Sequence, residues 1–128
     1  MSDLVLDSSA IMATLDREPG AERLTAKTLR QAVASAVNLA EVQTILVNRG
    51  MTADEAWQDA LSPIREVVAF NDEQAKIAGS LVKQTKSLGL SLGDRACLAL
   101  GVLLGVPVYT ADRIWKKLDV GVEVRLLR

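Results

Sequence analysis

Short apolar runs alternate with longer amphipathic stretches along the chain. Leu4-Val5-Leu6 is uniformly apolar, stops at Asp7 and predicts a buried strand. Ser8 and Ser9 offer capping hydroxyls for a helix reaching about Leu15, and Pro19 suits the first turn of a second helix extending to about Arg30. Ala32 to Ala36 predicts a second strand. From Asn38 to Asn48, Leu39, Val42, Ile45 and Leu46 recur at helical spacing, and Gly50 stands where such a helix stops. Thr52-Ala53-Asp54-Glu55 reads as a capping box opening a helix that ends near Ser62-Pro63. Glu66 to Phe70 predicts a third strand, after which Asn71 and Gln74 open a long helix to about Ser87. Ser91 caps a further helix, with Asp94 in its first turn, running to Leu104 before Gly105-Val106-Pro107. Val108 to Thr110 predicts a fourth strand, Arg113 to Leu118 a helical turn, and Val122 to Leu126 a last strand.

Strands alternating with helices predict an α/β fold, a three-layer α/β/α sandwich with a mostly parallel central sheet, as one domain over residues 1–128. The first strand is expected at the centre, because it is apolar on both faces.

Composition narrows the chemistry. With 128 residues, 49% of them hydrophobic, and a net charge of −1, the chain can bury a core and is not a disordered segment. The single cysteine, Cys97, excludes a disulfide scaffold and fits a reducing cytoplasm. The opening MSDLVLDSS lacks the basic region of a secretory signal. The longest apolar run, Ala96 to Tyr109, is broken by Gly101, Gly105 and Pro107 and falls short of the ~20 residues of a membrane span. The expectation is a cytoplasmic protein with no membrane partner. No histidine is present, which removes His-based nucleophilic and acid–base catalysis and nearly all zinc sites. Aromatics make up only 3% of the chain, which disfavours binding of single strands by base stacking.

Carboxylates are what remains. In an open α/β sheet, ligands bind beyond the carboxyl ends of the strands. Asp7 follows the first strand and Asp112 the fourth. Glu41 lies on a helical row between Val37 and Ile45, and Asp94 is followed at plus three and plus four by Cys97 and Leu98. Neither row supplies a Lys or Arg at these spacings, so each of these half-buried charges needs another partner. Two carboxylates ~5 Å apart at an effective dielectric of ~20 repel by ~3 kcal/mol. That is enough to raise one pKa by ~2 units, so four together call for a divalent cation. All-oxygen ligation points to Mg²⁺ or Mn²⁺, which can polarise a phosphodiester and activate water. Among the last sixteen residues Arg113, Lys116, Lys117, Arg125 and Arg128 outnumber the acids, and Arg113, Lys116 and Lys117 are candidate nucleic-acid contacts.

Four stretches, Leu-Asp7-Ser-Ser9-Ala, Asn38-Leu-Ala-Glu41-Val, Leu92-Gly-Asp94 and Tyr109-Thr110-Ala111-Asp112, resemble in order and spacing the PIN domain, and more narrowly the VapC ribonuclease toxins of bacterial toxin–antitoxin pairs. The resemblance implies that Asp7, Glu41, Asp94 and Asp112 form an acidic quartet holding Mg²⁺ or Mn²⁺. It makes Ser9 the hydroxyl supporting the first Asp, and Thr110 the residue steadying the last acid. It implies an endoribonuclease toxin, with RNA as substrate, a cognate antitoxin as partner, and a homodimer. The helices around Trp57 and Val82 carry apolar residues beyond what one core face requires, which suits dimerisation. One departure is that Trp115 and Lys116 stand where many members carry a further acid, which argues against a second fully ligated metal.

Three other readings fit less well. A receiver-type phosphoacceptor domain expects adjacent acids after the first strand and a strand-end Lys; here Ser8-Ser9 follows Asp7, Asp72 after the third strand is the only phosphoacceptor candidate, and no strand-end Lys is present. A haloacid-dehalogenase-like phosphatase would need an acid two residues after Asp7. A PIN-like binding module without catalysis would have no need of all four acids.

Overall fold

Leu4–Leu6 (β1) is buried on both sides, and its side chains alternate between two cores. Leu4 and Leu6 pack with Ala32 and Ala34 against Ile11, Leu39 and Val42, whereas Val5 packs with Val33 and Val108 against Leu98, Leu100 and Trp115. Full burial of a Leu or Val contributes about 1.5–3 kcal/mol, so a strand of only three residues is anchored firmly. A computed structural model describes residues 3–128, and the first two positions of the expected domain lie outside the described residues.

The elements follow in the order Ser8–Asp16 (α1), Ala26–Leu29 (α2), Ala32–Ser35 (β2), Ala36–Asn48 (α3), Ala53–Leu61 (α4), Glu66–Val68 (β3), Asp72–Ser80 (α5), Val82–Thr85 (α6), Leu92–Leu104 (α7), Val108–Thr110 (β4) and Val124–Leu126 (β5). The sheet runs β3-β2-β1-β4-β5, and every pairing in it is parallel. β1 is central, as its apolar faces require. Helices α1, α3 and α4 cover one side of the sheet and α5 and α7 the other, which makes the three-layer sandwich. Among the described residues no helix is long and apolar enough to cross a membrane.

Three local expectations change. The helix expected from Pro19 to Arg30 is a 3₁₀ turn at Ala21–Arg23 followed by the single turn of α2. Thr25 breaks it: its backbone is extended, and its hydroxyl caps α2 by accepting from Thr28 N at 3.2 Å. The long helix expected to Ser87 divides into α5, α6 and a 3₁₀ turn at Lys86–Leu88. Ser80 Oγ donates to Ile77 O at 2.7 Å and Thr85 Oγ1 to Leu81 O at 2.9 Å, hydroxyl bonds that compete with the helical ladder. Finally, Asp7 caps α1, with Ser8 as its first residue, and Ser35 ends β2 early by capping α3. Gly105, at φ 67°, closes α7 in the left-handed conformation that glycine adopts most readily.

The order of the strands positions the site. From β1 the chain builds outward through β2 to β3, then crosses back to β4 on the other side of β1. The carboxyl ends of β1 and β4 therefore flank the point where the winding reverses, the ligand crevice of open α/β sheets.

Candidate functional site

Asp7 follows β1 directly and is 3% exposed. Its Oδ1 accepts from Ala10 N at 2.8 Å and from Ser9 Oγ at 2.7 Å, and its Oδ2 from Thr110 Oγ1 at 2.6 Å. Burial pushes its pKa up to about 6 against the pull of these hydrogen bonds, and the charge of Asp94 adds to the rise. The same two hydroxyls bind the end of β4: Ala111 N donates to Ser9 Oγ at 2.9 Å and Asp112 N to Thr110 Oγ1 at 3.0 Å. Ser9 and Thr110 thus lock the turn carrying Asp7 to the turn carrying Asp112.

Glu41 sits in the second turn of α3. Its Oε1 accepts from Ser8 Oγ and from Asn38 Nδ2, the latter at 2.9 Å. Asn38 Nδ2 also lies 3.1 Å from Gly93 O and 3.2 Å from Ser8 Oγ, while the buried Asn38 Oδ1 has no hydrogen-bond partner. Asp94 stands in the first turn of α7 within a reciprocal capping box: Ser91 N donates to its Oδ2 at 2.9 Å, and its own N–H to Ser91 Oγ at 3.2 Å. Partial burial raises its pKa, the Ser91 hydrogen bonds oppose this, and the charges of Glu41 and Asp112 add to the rise. Asp112 is exposed, and its Oδ1 accepts from Ile114 N at 3.1 Å, capping the 3₁₀ turn Arg113–Lys117.

All four acids line one open cleft of about 510 Å³. Four separate elements bring them there: the ends of β1 and β4, the second turn of α3 and the first turn of α7. Cys97, directly beneath, is fully buried, and burial raises its thiol pKa well above the ordinary value, so it is an inert core residue. The far end of the cleft is different. Arg49 forms a bidentate pair with Asp16, both contacts at 3.0 Å, and Arg128 meets Glu18 at 2.8 Å and Pro19 O at 3.1 Å. Arg113, Lys116 and Lys117 stand on the 3₁₀ turn after Asp112, exposed and outside the cleft wall.

Four contributors escaped the sequence reading. Arg49 was detectable, because Glu41, Ile45 and Arg49 follow at intervals of four along α3 to its C-cap and all line the cleft. Asn38 and Gly93 lie inside quoted motifs, yet nothing local marks them as neighbours of Glu41. Arg128 reaches the cleft only through the packing of the last strand.

The donor set suits a hard divalent cation. It is all oxygen and multiply anionic, and its burial and mutual repulsion raise two of the acids. Among the described residues, Glu41 Oε2, Asp94 Oδ1 and Asp112 Oδ2 accept no hydrogen bond, so each of these three is held by one oxygen, whereas both oxygens of Asp7 accept. As placed, no three acids among the described residues stand together as a group that could hold a metal ion.

Comparison with known proteins gives a consistent picture. The family model of the PIN domain matches residues 4–121. No curated protein sequence matches the chain. Among solved structures, a DNA-bound VapBC from Salmonella typhimurium aligns over 100% of both chains, with a TM-score of 0.74 and 15% identity. VapC20 of Mycobacterium tuberculosis, described as a Sarcin-Ricin loop cleaving toxin, aligns over 94% of this chain and 99% of its own, with a TM-score of 0.74 and 22% identity. A toxin–antitoxin complex from Klebsiella pneumoniae covers 98% of each chain, with a TM-score of 0.76 and 16% identity. At these identities the likeness establishes the fold.

Proposed function

The chain belongs to the PIN domain family, and from that premise we propose that it is a divalent-metal-dependent endoribonuclease, the toxin of a type II toxin–antitoxin pair. The observation that carries this reading is the convergence of Asp7, Glu41, Asp94 and Asp112 on one cleft wall at the winding reversal of the sheet. Among the described residues lining that cleft, the two cations, Arg49 and Arg128, pair with Asp16 and Glu18 and not with the four acids.

Asp7, Asp94 and Asp112 would hold Mg²⁺ or Mn²⁺, with Glu41 beside them. When bound, the ion supplies the positive charge that polarises a phosphodiester and lowers the pKa of water. Asp7, locked by Ser9, Thr110 and Ala10 N, is the rigid reference point of the site. Glu41, whose Oε2 accepts no hydrogen bond, would orient or deprotonate the attacking water. Asp112, exposed at the cleft mouth, completes the anionic wall. Without a histidine to shuttle protons, hydrolysis by water is favoured over attack by the ribose 2′-hydroxyl, and the products carry 5′-phosphate and 3′-hydroxyl ends.

The solved structures most like this chain include VapBC and FitAB assemblies. That supports a cognate antitoxin, and the anionic cleft suits a basic residue from such a partner, competing with metal. Val82 is 47% exposed, an apolar residue available to a second copy, whereas Trp57 packs against the core. A homodimer in the cytoplasm is the expected working form. Light scattering at tens of micromolar without antitoxin checks this, and a monomer there counts against it.

The decisive experiment incubates purified protein with a mixed RNA pool and Mg²⁺ or Mn²⁺, beside an EDTA control. Endonucleolytic cleavage that stops in EDTA supports the proposal. Absence of cleavage with either metal, in antitoxin-free protein, rejects it.

A further inference from the structure

Glu41 rests against a glycine. A Cβ added to Gly93 would stand 2.2 Å from Glu41 Oε2, 2.6 Å from Cδ and 2.7 Å from Oε1, so the carboxylate lies against the bare Cα of the second residue of α7. Glycine is a poor helix residue, and Gly93 is not among those of positive φ, so no turn requires it. The need at this position is space. Asn38 closes the same cradle from the other side: one turn before Glu41 on α3, it donates to Glu41 Oε1 and to Gly93 O and is 1% exposed. Its Oδ1 is buried without a partner. Turning the amide over would satisfy neither Glu41 nor Gly93 O and would set a carbonyl against the carboxylate. The orphaned oxygen is the cost of presenting the amide protons to Glu41. Such an unpaired buried acceptor works against stability; Gln74 carries another, but of the two only the Asn38 amide donates to a carboxylate.

We infer that Asn38 and Gly93 are positioning residues for Glu41: together they hold its carboxylate by Oε1 across the junction of α3 and α7, so that it faces Asp94 and contributes to cation binding. The inference rests on the metal-site reading above. Asn38 and Gly93 touch neither the cation nor RNA; they act through Glu41. Their effect therefore disappears when Glu41 has no charge to position, which a purely structural role would not show.

The test measures Mn²⁺ affinity of RNA-free protein by electron paramagnetic resonance of the free ion, in Gly93→Ala, Glu41→Gln and the double variant. Unfolding midpoints in EDTA are recorded in parallel. Gly93→Ala is expected to weaken Mn²⁺ binding at least tenfold in the parent and less than twofold in the Glu41→Gln background. Glu41→Asp, whose shorter side chain retreats from position 93, is expected to restore part of the affinity of Gly93→Ala. Asn38→Ala in the same two backgrounds gives an independent cycle, should Gly93→Ala unfold. Equal weakening in both backgrounds, or none in the parent, overturns the inference. Glu41→Gln binding Mn²⁺ like the parent overturns it too, by removing Glu41 from the cation. A parent protein that takes up no Mn²⁺ at all is the separate outcome in which the metal-site reading itself has failed.

Discussion

Replacing Asp7 by Asn should stabilise the metal-free protein at neutral pH while destroying its activity. The carboxyl is 3% exposed and its pKa rises from 3.8 to about 6 on folding, chiefly through burial. Between those two values the folded state holds a proton that the unfolded state has released, so stability falls as pH rises through that window. The loss is complete above about pH 7. At 1.36 kcal/mol per unit it amounts to about 3 kcal/mol. Asn removes this cost but not without exchange: its oxygen can still accept from Ala10 N and Ser9, whereas its amide group meets the Thr110 hydroxyl where Oδ2 accepted. One altered buried hydrogen bond costs about 1 kcal/mol. The net gain at pH 8 is about 2 kcal/mol, a rise of roughly 6–10 °C in melting temperature for a chain of this size. Thermal unfolding in EDTA from pH 4 to pH 8 measures it. The advantage should shrink steadily on acidification and be gone near pH 4. Adding Mn²⁺ should reverse the ranking at pH 8, because only the parent gains from binding. An Asp7→Asn protein less stable than the parent at pH 8 in EDTA, or a difference independent of pH, would refute the burial argument.

Asp94→Asn should abolish cleavage with its capping box largely kept, since the amide oxygen can still accept from Ser91 N; RNA cleavage and far-ultraviolet circular dichroism check the two halves, and full activity would reject the site. End-labelling of the products should find 5′-phosphate and 3′-hydroxyl termini; a 2′,3′-cyclic phosphate would show that water is not the nucleophile. Arg49→Gln should raise KM for RNA with little change in kcat and reduce the slope of log K against log salt by about 1, as expected when one phosphate contact is lost. An unchanged slope would leave Arg49 with Asp16 alone.

Much of the architecture is legible because it rests on short-range rules. The apolar run Leu4–Leu6 can only be a strand buried on both faces, which makes it central. The capping boxes at Thr52–Glu55 and Ser91–Asp94 are closed by atoms three residues apart, so spacing alone reveals them. An acid after β1 and another after β4 point to the crevice of a parallel sheet, and helical rows pick out Glu41 and Asp94. The broken helices after Pro19 and Asn71 were not legible, because single hydroxyl bonds from Thr25, Ser80 and Thr85 outweigh weak helical preference there. What only the tertiary structure decided is who stands beside each acid. Ser9 meets Thr110 across 101 positions and Asn38 meets Gly93 across 55, contacts that no periodicity encodes. Arg49 and Arg128 line one cleft although one follows α3 and the other ends the chain. The raised pKa of Asp7 likewise belongs to no local motif. It follows from the depth of β1 in the sheet, since desolvation is set by everything packed around a charge, and that is assembled from the whole chain.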